Sequence, residues 1–266
     1  MMTTMIAARV SPGRVGAVIS RNLGALRSGP AYWLVLVSGF FEPLLYLLSI
    51  GVGVGALVGD MRVGDRSLPY ATFVAPAMLA VAAMSGALAE TTYNFFFKMK
   101  YQKTFDAILA TPVRPFEIAL GELSWAMIRG SLYTGVFVII MVALGLASPL
   151  WALAAFPATM LVGLAFGSIG MAVSTLMRGW QDFDLLATGQ FALFLFSGTF
   201  SPVGDYPVAI EVLIQATPLY HAVELVRGLA IGAPSWGLLV HTAYLGAMVL
   251  AGLLFAAGRL QRVLCV

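Results

Sequence analysis

The stretch FDAILATPVRPFEIALGE, residues 105–122, stands between two long apolar blocks and directly follows a run that contains three lysines. Phe105, Ile108 and Leu109 recur at helical spacing, which predicts a short amphipathic helix. The turn at 111–115 contains two prolines and stops that helix, because proline lacks an amide hydrogen and restricts the residue before it. We therefore predict an elbow between two membrane helices, exposed on the cytoplasmic side, on which a partner protein can push.

The composition of the chain sets its class. Of the 266 residues, 60% are hydrophobic and only 10% are charged, whereas an average soluble domain carries about 25% charged residues. The net charge of +3 comes from basic residues in short loops rather than in one patch, which indicates membrane orientation and not nucleic-acid binding. The single cysteine, Cys265, can form no disulfide within the chain, and residues 1–30 lack the continuous apolar core of a cleavable signal peptide.

The apolar blocks predict an all-α integral membrane protein with six spans, since one span needs about 20 residues. The spans are predicted at about 32–58, 70–96, 116–146, 150–177, 185–200 and 236–258. Before them, Pro12 begins a basic amphipathic segment that is typical of a helix lying along the membrane surface; a solvated leader helix is the alternative. The chain is thus one membrane domain, 1–266, with an interface helix (1–30), a six-span bundle (31–258) and a tail (259–266).

The lysines and arginines predict the orientation. Six spans put both termini on one side, and that side carries eleven basic residues, against three on the other: Arg62, Arg66 and Arg227. Because cytoplasmic loops carry the excess of lysine and arginine, both termini and the elbow are expected in the cytoplasm. The expected location is the bacterial cytoplasmic (inner) membrane, as a multi-pass protein.

Residues 201–235 form an unusual external loop, since they hold four prolines and two apolar runs, 210–214 and 219–231. Thr217 and Pro218 predict the start of the second helix. Two short helices re-entering the membrane would suit a lid over a pathway, because irregular backbone at that depth must be covered by protein or line a water-filled cavity. An ordinary surface loop with one amphipathic helix remains the alternative.

The sequence contains no set of residues that predicts an enzyme. His221 and Glu224 have metal-like spacing, but a metal site needs three or four ligands, so no metal is expected. The phosphate-binding loop needs a lysine directly after a glycine, and none of the lysines 98, 100 and 103 follows one. This chain is therefore expected to bind no cofactor, and ATP with Mg²⁺ would bind to a partner subunit.

Charged residues inside the predicted spans are the stronger functional signal. Each costs about 2.5–3.5 kcal/mol at the middle of a span on insertion scales, so such residues tend to be kept for function. Glu42, Glu90 and Arg129 are the candidates for a substrate pathway. The alternative is static pairing within the bundle, such as Arg129 with Glu90.

Several motifs together resemble the type-2 ABC exporter permeases, and most of all the branch of nodulation lipo-oligosaccharide and daunorubicin-type drug exporters. The matching stretches are FEPLLYL at 41–47, FVAP at 73–76, KY at 100–101, AILATPVRP at 107–115, GE at 121–122, FSGTFSP at 196–202 and TPLYHAVELVR at 217–227. They cover nearly the whole chain, and the elbow and the last stretch are the specific ones.

The resemblance implies a fold and a set of partners. It implies an interface helix, six spans, a coupling helix between spans 2 and 3, and short re-entrant helices before span 6. It also implies two permease subunits, as two copies or as a pair with a paralogue, working in the lipid bilayer with two separate ATPase subunits. The implied function is ATP-driven export of an amphipathic drug, lipid or glycolipid.

The candidate functional residues fall into three groups. ATPase coupling is assigned to Phe105, Asp106, Ile108, Leu109, Thr111, Pro112, Arg114, Glu117 and Glu122; the pathway or buried charges to Glu42, Glu90 and Arg129; and an external re-entrant gate to Pro218, His221, Glu224 and Arg227. The apolar side chains of the elbow have no obvious partner within the spans, although they could also rest on lipid headgroups. The rival functions are a secondary transporter driven by an ion gradient, with Glu42 or Glu90 as proton sites, and a membrane enzyme.

Overall fold

A computed structural model of the chain describes residues 10–28, 41, 44–45, 47–63 and 66–264. The elements follow in chain order as α1 (Pro12–Ser28), a π-helix (Leu47–Val54), α2 (Gly55–Val58), β1 (Asp60–Val63), β2 (Arg66–Pro69), α3 (Tyr70–Ala89), a second π-helix (Glu90–Asn94), α4 (Phe95–Lys100), α5 (Thr104–Leu109), α6 (Pro115–Ala143), α7 (Pro149–Ser174), α8 (Gln181–Leu195), a 3-10 turn (Val203–Asp205), α9 (Val208–Gln215), α10 (Pro218–Ala230) and α11 (Gly237–Leu264).

Helices of membrane-spanning length dominate the structure. Within the described residues, four helices are long and apolar enough to cross a membrane: Tyr70–Lys100, Pro115–Ala143, Pro149–Ser174 and Gly237–Val263. They correspond to predicted spans 2, 3, 4 and 6, so the chain is a predominantly helical, multi-pass membrane protein. Predicted span 1 lies partly outside the described residues, and predicted span 5 corresponds to α8, which has 15 residues. Six spans therefore stay a prediction.

Close helix packing in the bundle depends on glycines of α7. A Cβ atom built on Gly170 would lie 2.4 Å from Oγ1 of Thr91, and one built on Gly167 would lie 2.8 Å from a methyl carbon of Leu123. One built on Gly163 would lie 2.9 Å from the methyl carbon of Met127. Small residues let helices approach closely in membranes, and these three glycines allow α7 to pack tightly against its neighbours.

Prolines set two helix starts, each one residue before the predicted start of the span. α6 begins at Pro115 and α7 at Pro149, the first helical position, where a missing amide hydrogen costs nothing.

The predicted bounds of span 5 were wrong by four or five residues at each end. α8 begins at Gln181 because Asp182 Oδ2 accepts the N–H of Arg178 at 2.6 Å, which binds the preceding turn to the helix. It ends at Leu195, shortly before Gly198 takes a left-handed conformation with φ of 72°.

A β-hairpin departs from the predicted all-α fold. β1 and β2 pair antiparallel, with Asp60 opposite Pro69 and Val63 opposite Arg66. Residues 64–65 that join them are Gly and Asp, a two-residue pattern typical of a hairpin turn. The hairpin continues into α3, and the N–H of Tyr70 donates to the carbonyl of Gly59 at 3.3 Å.

Candidate functional site

The elbow, residues 98–115, is anchored to the bundle by Phe105. This side chain is fully buried, and its ring centroid lies 4.9 Å from that of Phe95. Ile108 and Leu109 are partly buried against the same cluster, which also contains Ile118 of α6. The prediction that these apolar residues lack a partner within the spans was therefore wrong, and most clearly for Phe105. Periodicity predicted an apolar face but could not show which way a helix of six residues would turn it.

The opposite face of the elbow is open. The exposed residues of the turn and of α5 are Asp106, Ala107, Ala110, Thr111, Pro112 and Arg114. A hydrogen bond within the elbow holds the turn against the end of α5: the hydroxyl of Thr111 donates to the carbonyl of Ile108 at 2.6 Å. An anchored inner face and an exposed outer face together make the elbow a rigid projection from the bundle.

Glu117 joins three chain segments at the start of α6. It is 1% exposed; Oε2 accepts the N–H of Arg114 at 2.9 Å, and Oε1 accepts the N–H of Ser11 at 3.0 Å. Arg14 Nη1 lies 3.5 Å from Oε2. One buried carboxylate thus binds the start of α1 and the end of the elbow to α6, where the helix dipole favours negative charge.

Glu122 forms a second joint one and a half turns further along α6. Lys98 Nζ lies 2.6 Å from its Oε2, and Asn22 Nδ2 donates to its Oε1 at 3.0 Å. Lys98 Nζ also donates to Asn22 Oδ1 at 2.9 Å. Glu122 was predicted from the sequence as a coupling residue and Asn22 was not, although Asn22 lies four residues after Val18 on the apolar face of α1.

Between the two joints α1 lies directly on α6. A Cβ atom built on Gly121 would lie 2.6 Å from Cβ of Val18, so only glycine allows this approach. Beside the contact, a cavity of about 440 Å³ separates α1 from the elbow, lined by residues that include Arg21, Gln102, Ala107 and Thr111. α1 is thus packed on the start of α6, and Glu117 and Glu122 link both of them to the elbow.

Glu90 and Arg129 form an ion pair inside the bundle. Glu90 begins the second π-helix, where it also accepts a hydrogen bond from Asn94 Nδ2 at 2.9 Å. Arg129 on α6 donates through Nε to the hydroxyl of Tyr133 at 3.1 Å. The pairing that the sequence left as an alternative is present, and both side chains are buried. Whether they also line a pathway stays a prediction, and Glu42 lies outside the described residues.

At the other end of the bundle, Arg227 binds α10 to its neighbours. Its Nη1 lies 2.7 Å from Glu224 Oε1, its Nη2 donates to the carbonyl of Gly198 at 2.7 Å, and its guanidinium carbon lies 3.9 Å from the ring centroid of Phe73. Arg227 is 4% exposed, so its guanidinium is enclosed by these partners.

The two short helices predicted before the last span are present as α9 and α10. Pro218 occupies the first position of α10, and Thr217 Oγ1 accepts the N–H of Tyr220 at 3.3 Å. His221 Nδ1 lies 2.7 Å from Nδ1 of His241 on α11, a pairing that the sequence analysis missed because 20 residues separate the two. Among the described residues, no three His, Cys, Asp or Glu side chains come together as a metal site would require.

Comparison with known proteins agrees with this architecture. The profile of the ABC-2 type transporter family matches residues 16–231. The chain is 34% identical to Nodulation protein J of Rhizobium leguminosarum bv. trifolii over 228 residues, 85% of this chain and 86% of that protein. It is 34% identical to Nodulation protein J of Rhizobium meliloti (strain 1021), over 80% and 79% of the two chains. It is 26% identical to the Probable multidrug ABC transporter permease YbhR of Escherichia coli (strain K12), over 70% of this chain and 53% of that protein. The chain therefore belongs to the ABC-2 type transporter family and is a transmembrane permease subunit of an ABC exporter, with no ATPase motif in its own sequence.

Proposed function

We propose that this permease moves an amphipathic drug, lipid or glycolipid out of the cytoplasm when a separate ATPase subunit, docked on the elbow, binds and hydrolyses ATP with Mg²⁺. Two permeases, as two copies or as a pair with a paralogue, would work with two ATPase subunits. Family membership favours this over the ion-gradient alternative. The observation that carries the proposal is the elbow itself, whose outer face is exposed while its inner face is anchored by Phe105.

A docked ATPase must pass its motion to the membrane helices through a contact that does not deform. The elbow meets this requirement because Phe105 packs against both Phe95 of α4 and the start of α6. Glu117 then fixes the end of the elbow by accepting the N–H of Arg114. A push on Asp106 or Thr111 would therefore move both spans together.

Charge reversal on the exposed face of the elbow tests the docking. We expect Asp106→Lys combined with Ala110→Lys to insert and fold normally, because both side chains are exposed, yet to lose the ATPase in pull-down and to lose ATP-dependent transport. Asp205→Lys is the control, since Asp205 is exposed at the other end of the bundle. If the elbow variant retains the ATPase and transports normally, the ATPase docks elsewhere. The purified chain alone is expected to bind no ATP.

The proposed orientation places both termini and the elbow in the cytoplasm of a bacterial inner membrane. It is supported by the concentration of basic residues near the termini and the elbow. In a Cys265→Ser background, a cysteine at position 204 should react with an impermeant thiol reagent applied from outside, and a cysteine at position 102 should not. The reverse labelling pattern would contradict this orientation.

A further inference from the structure

An elongated cavity of about 690 Å³ separates α8 from the rest of the bundle. Phe166, Ile169 and Val173 of α7 form one wall, and Leu186, Gly189 and Leu193 of α8 form the facing wall. The volume falls within the range of about 300–1,000 Å³ that is typical of small-molecule sites, which are also mostly apolar with a few polar groups.

The length of this cavity matches one leaflet of a bilayer. Its lining extends along α7 from Phe166 to Val173 and past the end of that helix to Met177, and along α8 over eleven residue steps from Asp182 to Leu193. Eleven helical steps at 1.5 Å each give about 16 Å, roughly half of the hydrocarbon core of about 30 Å. Pro218, at the start of α10, lines its inner end, and Arg178 lies at its mouth on the elbow side.

The mouth has the chemistry of a membrane surface. Arg178 is exposed there, and the nearby carboxylate of Asp182 is occupied by the N–H groups of Arg178 and Gly179, at 2.6 and 3.4 Å. Beside it, the ring of Trp180 stacks on that of Tyr101 with centroids 5.7 Å apart. Tryptophan and tyrosine are enriched at the level of the lipid headgroups, so the mouth combines a headgroup-level aromatic pair with an exposed cation.

Among the residues that the structure describes, few contacts hold α8 to the bundle. Only Phe183 and Phe194 of this helix are buried, and Gln190 Nε2 donates to Ser85 Oγ of α3 at 2.9 Å. Gly189 faces open space, since a Cβ atom built on it meets no heavy atom within 4 Å. A lipid tail needs no hydrogen bonds from such walls and could enter beside this helix.

We propose that this cavity binds the acyl chain of an anionic lipid or lipid-like amphiphile taken from the leaflet on the elbow side, with Arg178 contacting the anionic headgroup. The length and apolar walls of the cavity match an acyl chain, and the exposed Arg178 at its mouth matches an anionic headgroup. The inference rests on the proposed function for its direction: the elbow side is then cytoplasmic, and the cavity is where an exported amphiphile is loaded.

Photolabelling tests the site on the full-length chain in proteoliposomes, without an ATPase. The probe is phosphatidic acid carrying a diazirine on one acyl chain, and labelled positions are mapped by mass spectrometry. We expect labels on the cavity-lining residues of α7 and α8. Gly189→Phe should fill the cavity and reduce this labelling about tenfold, equivalent to about 1.4 kcal/mol of binding. Ala187→Phe is the matched control, since Ala187 is exposed on the same helix and does not line the cavity.

The headgroup contact has its own test. A phosphatidylcholine probe with the same diazirine chain should label the cavity less than the phosphatidic acid probe. Arg178→Gln should remove that difference, whereas Arg262→Gln, at an exposed position near the end of α11, should preserve it. Equal labelling by both probes in the unmodified chain would overturn the anionic assignment.

Two results would overturn the binding site itself. One is labelling that Gly189→Phe leaves unchanged. The other is a disulfide between two copies of the chain through a cysteine at position 189, which would identify the cavity as an interface between copies. Because no ATPase is present, a failure of elbow docking would not alter the labelling. Conversely, the loss of labelling sites would leave the ATPase pull-down unchanged, so the two proposals fail separately.

Discussion

Replacing Gly121 with alanine should separate α1 from α6. The new methyl carbon would lie 2.6 Å from Cβ and 2.7 Å from Cγ1 of Val18, about 1 Å inside the 3.5–4.0 Å at which two carbons pack best. Overpacking of this kind costs about 1–3 kcal/mol. Moving α1 outward would also lengthen the 3.0 Å hydrogen bond from Asn22 to Glu122. We therefore expect the lost stability to appear mainly as weaker packing of α1 on α6.

Hydrogen exchange of the α1 amides measures this loss in the solubilised full-length chain. If the free energy of local opening of α1 falls by about 1–3 kcal/mol, its amide hydrogens should exchange roughly 5- to 150-fold faster. ATP-dependent transport, measured with the partner ATPase, should fall in parallel if α1, the elbow and α6 move as one unit.

Two variants make the result specific. Gly130→Ala is the control on the same helix, because a Cβ atom built there meets nothing within 4 Å, and exchange in α1 should be unchanged. Val18→Gly removes the atoms that clash, at a helix-propensity cost of about 1 kcal/mol. The Val18→Gly, Gly121→Ala double variant should therefore exchange no faster than Val18→Gly alone. If Gly121→Ala behaves like Gly130→Ala, α1 does not pack on α6 as described.

Two further predictions concern buried side chains. Arg129→Met should lower the free energy of unfolding by about 3–5 kcal/mol, because it leaves the buried carboxylate of Glu90 without its cation. Adding Glu90→Gln should recover much of that loss in thermal unfolding. If the two losses simply add, the side chains do not form a direct pair. Phe105→Ala should lower the free energy of unfolding by about 3–5 kcal/mol, because it leaves a cavity in the core. Phe97→Ala should lower it far less, since Phe97 is 40% exposed. Equal losses for the two variants would show that Phe105 does not anchor the elbow.

The sequence predicted the elements of this fold better than their orientation. The starts of α6 and α7 follow from Pro115 and Pro149, since the constraint that proline imposes is local. The side to which α5 turns Phe105 depends on helices that are distant in space, and no periodicity contains that information. The hairpin at 60–69 was missed because two strands of four residues are a weak signal beside long apolar helices.

The candidate residues show the same division. Glu117, Glu122, Glu90 and Arg129 stood out because charge is rare in apolar helices. The pairing of Glu90 with Arg129 was named as an alternative, but Asn22 was not found as a partner of Glu122, since 100 residues separate the two and a small polar residue is unremarkable in an amphipathic helix. Arg227 was predicted as part of the re-entrant gate, but its carbonyl partners at Phe73 and Gly198 were not, since both are distant in the sequence.

The two ion pairs between span 2 and span 3 suggest how a push on the elbow travels. Lys98 binds Glu122 nearest the elbow, and Glu90 binds Arg129 about two turns deeper, so the pairs connect two antiparallel helices at successive levels. The π-helix at Glu90–Asn94 lies between these levels, and π-turns inside α-helices frequently mark functional sites. The Glu90→Gln, Arg129→Met variant keeps the outer pair and removes the inner one. We expect it to bind the ATPase through an intact elbow and to hydrolyse ATP with less transport per ATP consumed, because the deeper part of span 2 no longer follows span 3. Normal coupling in this variant would show that the outer pair alone carries the motion.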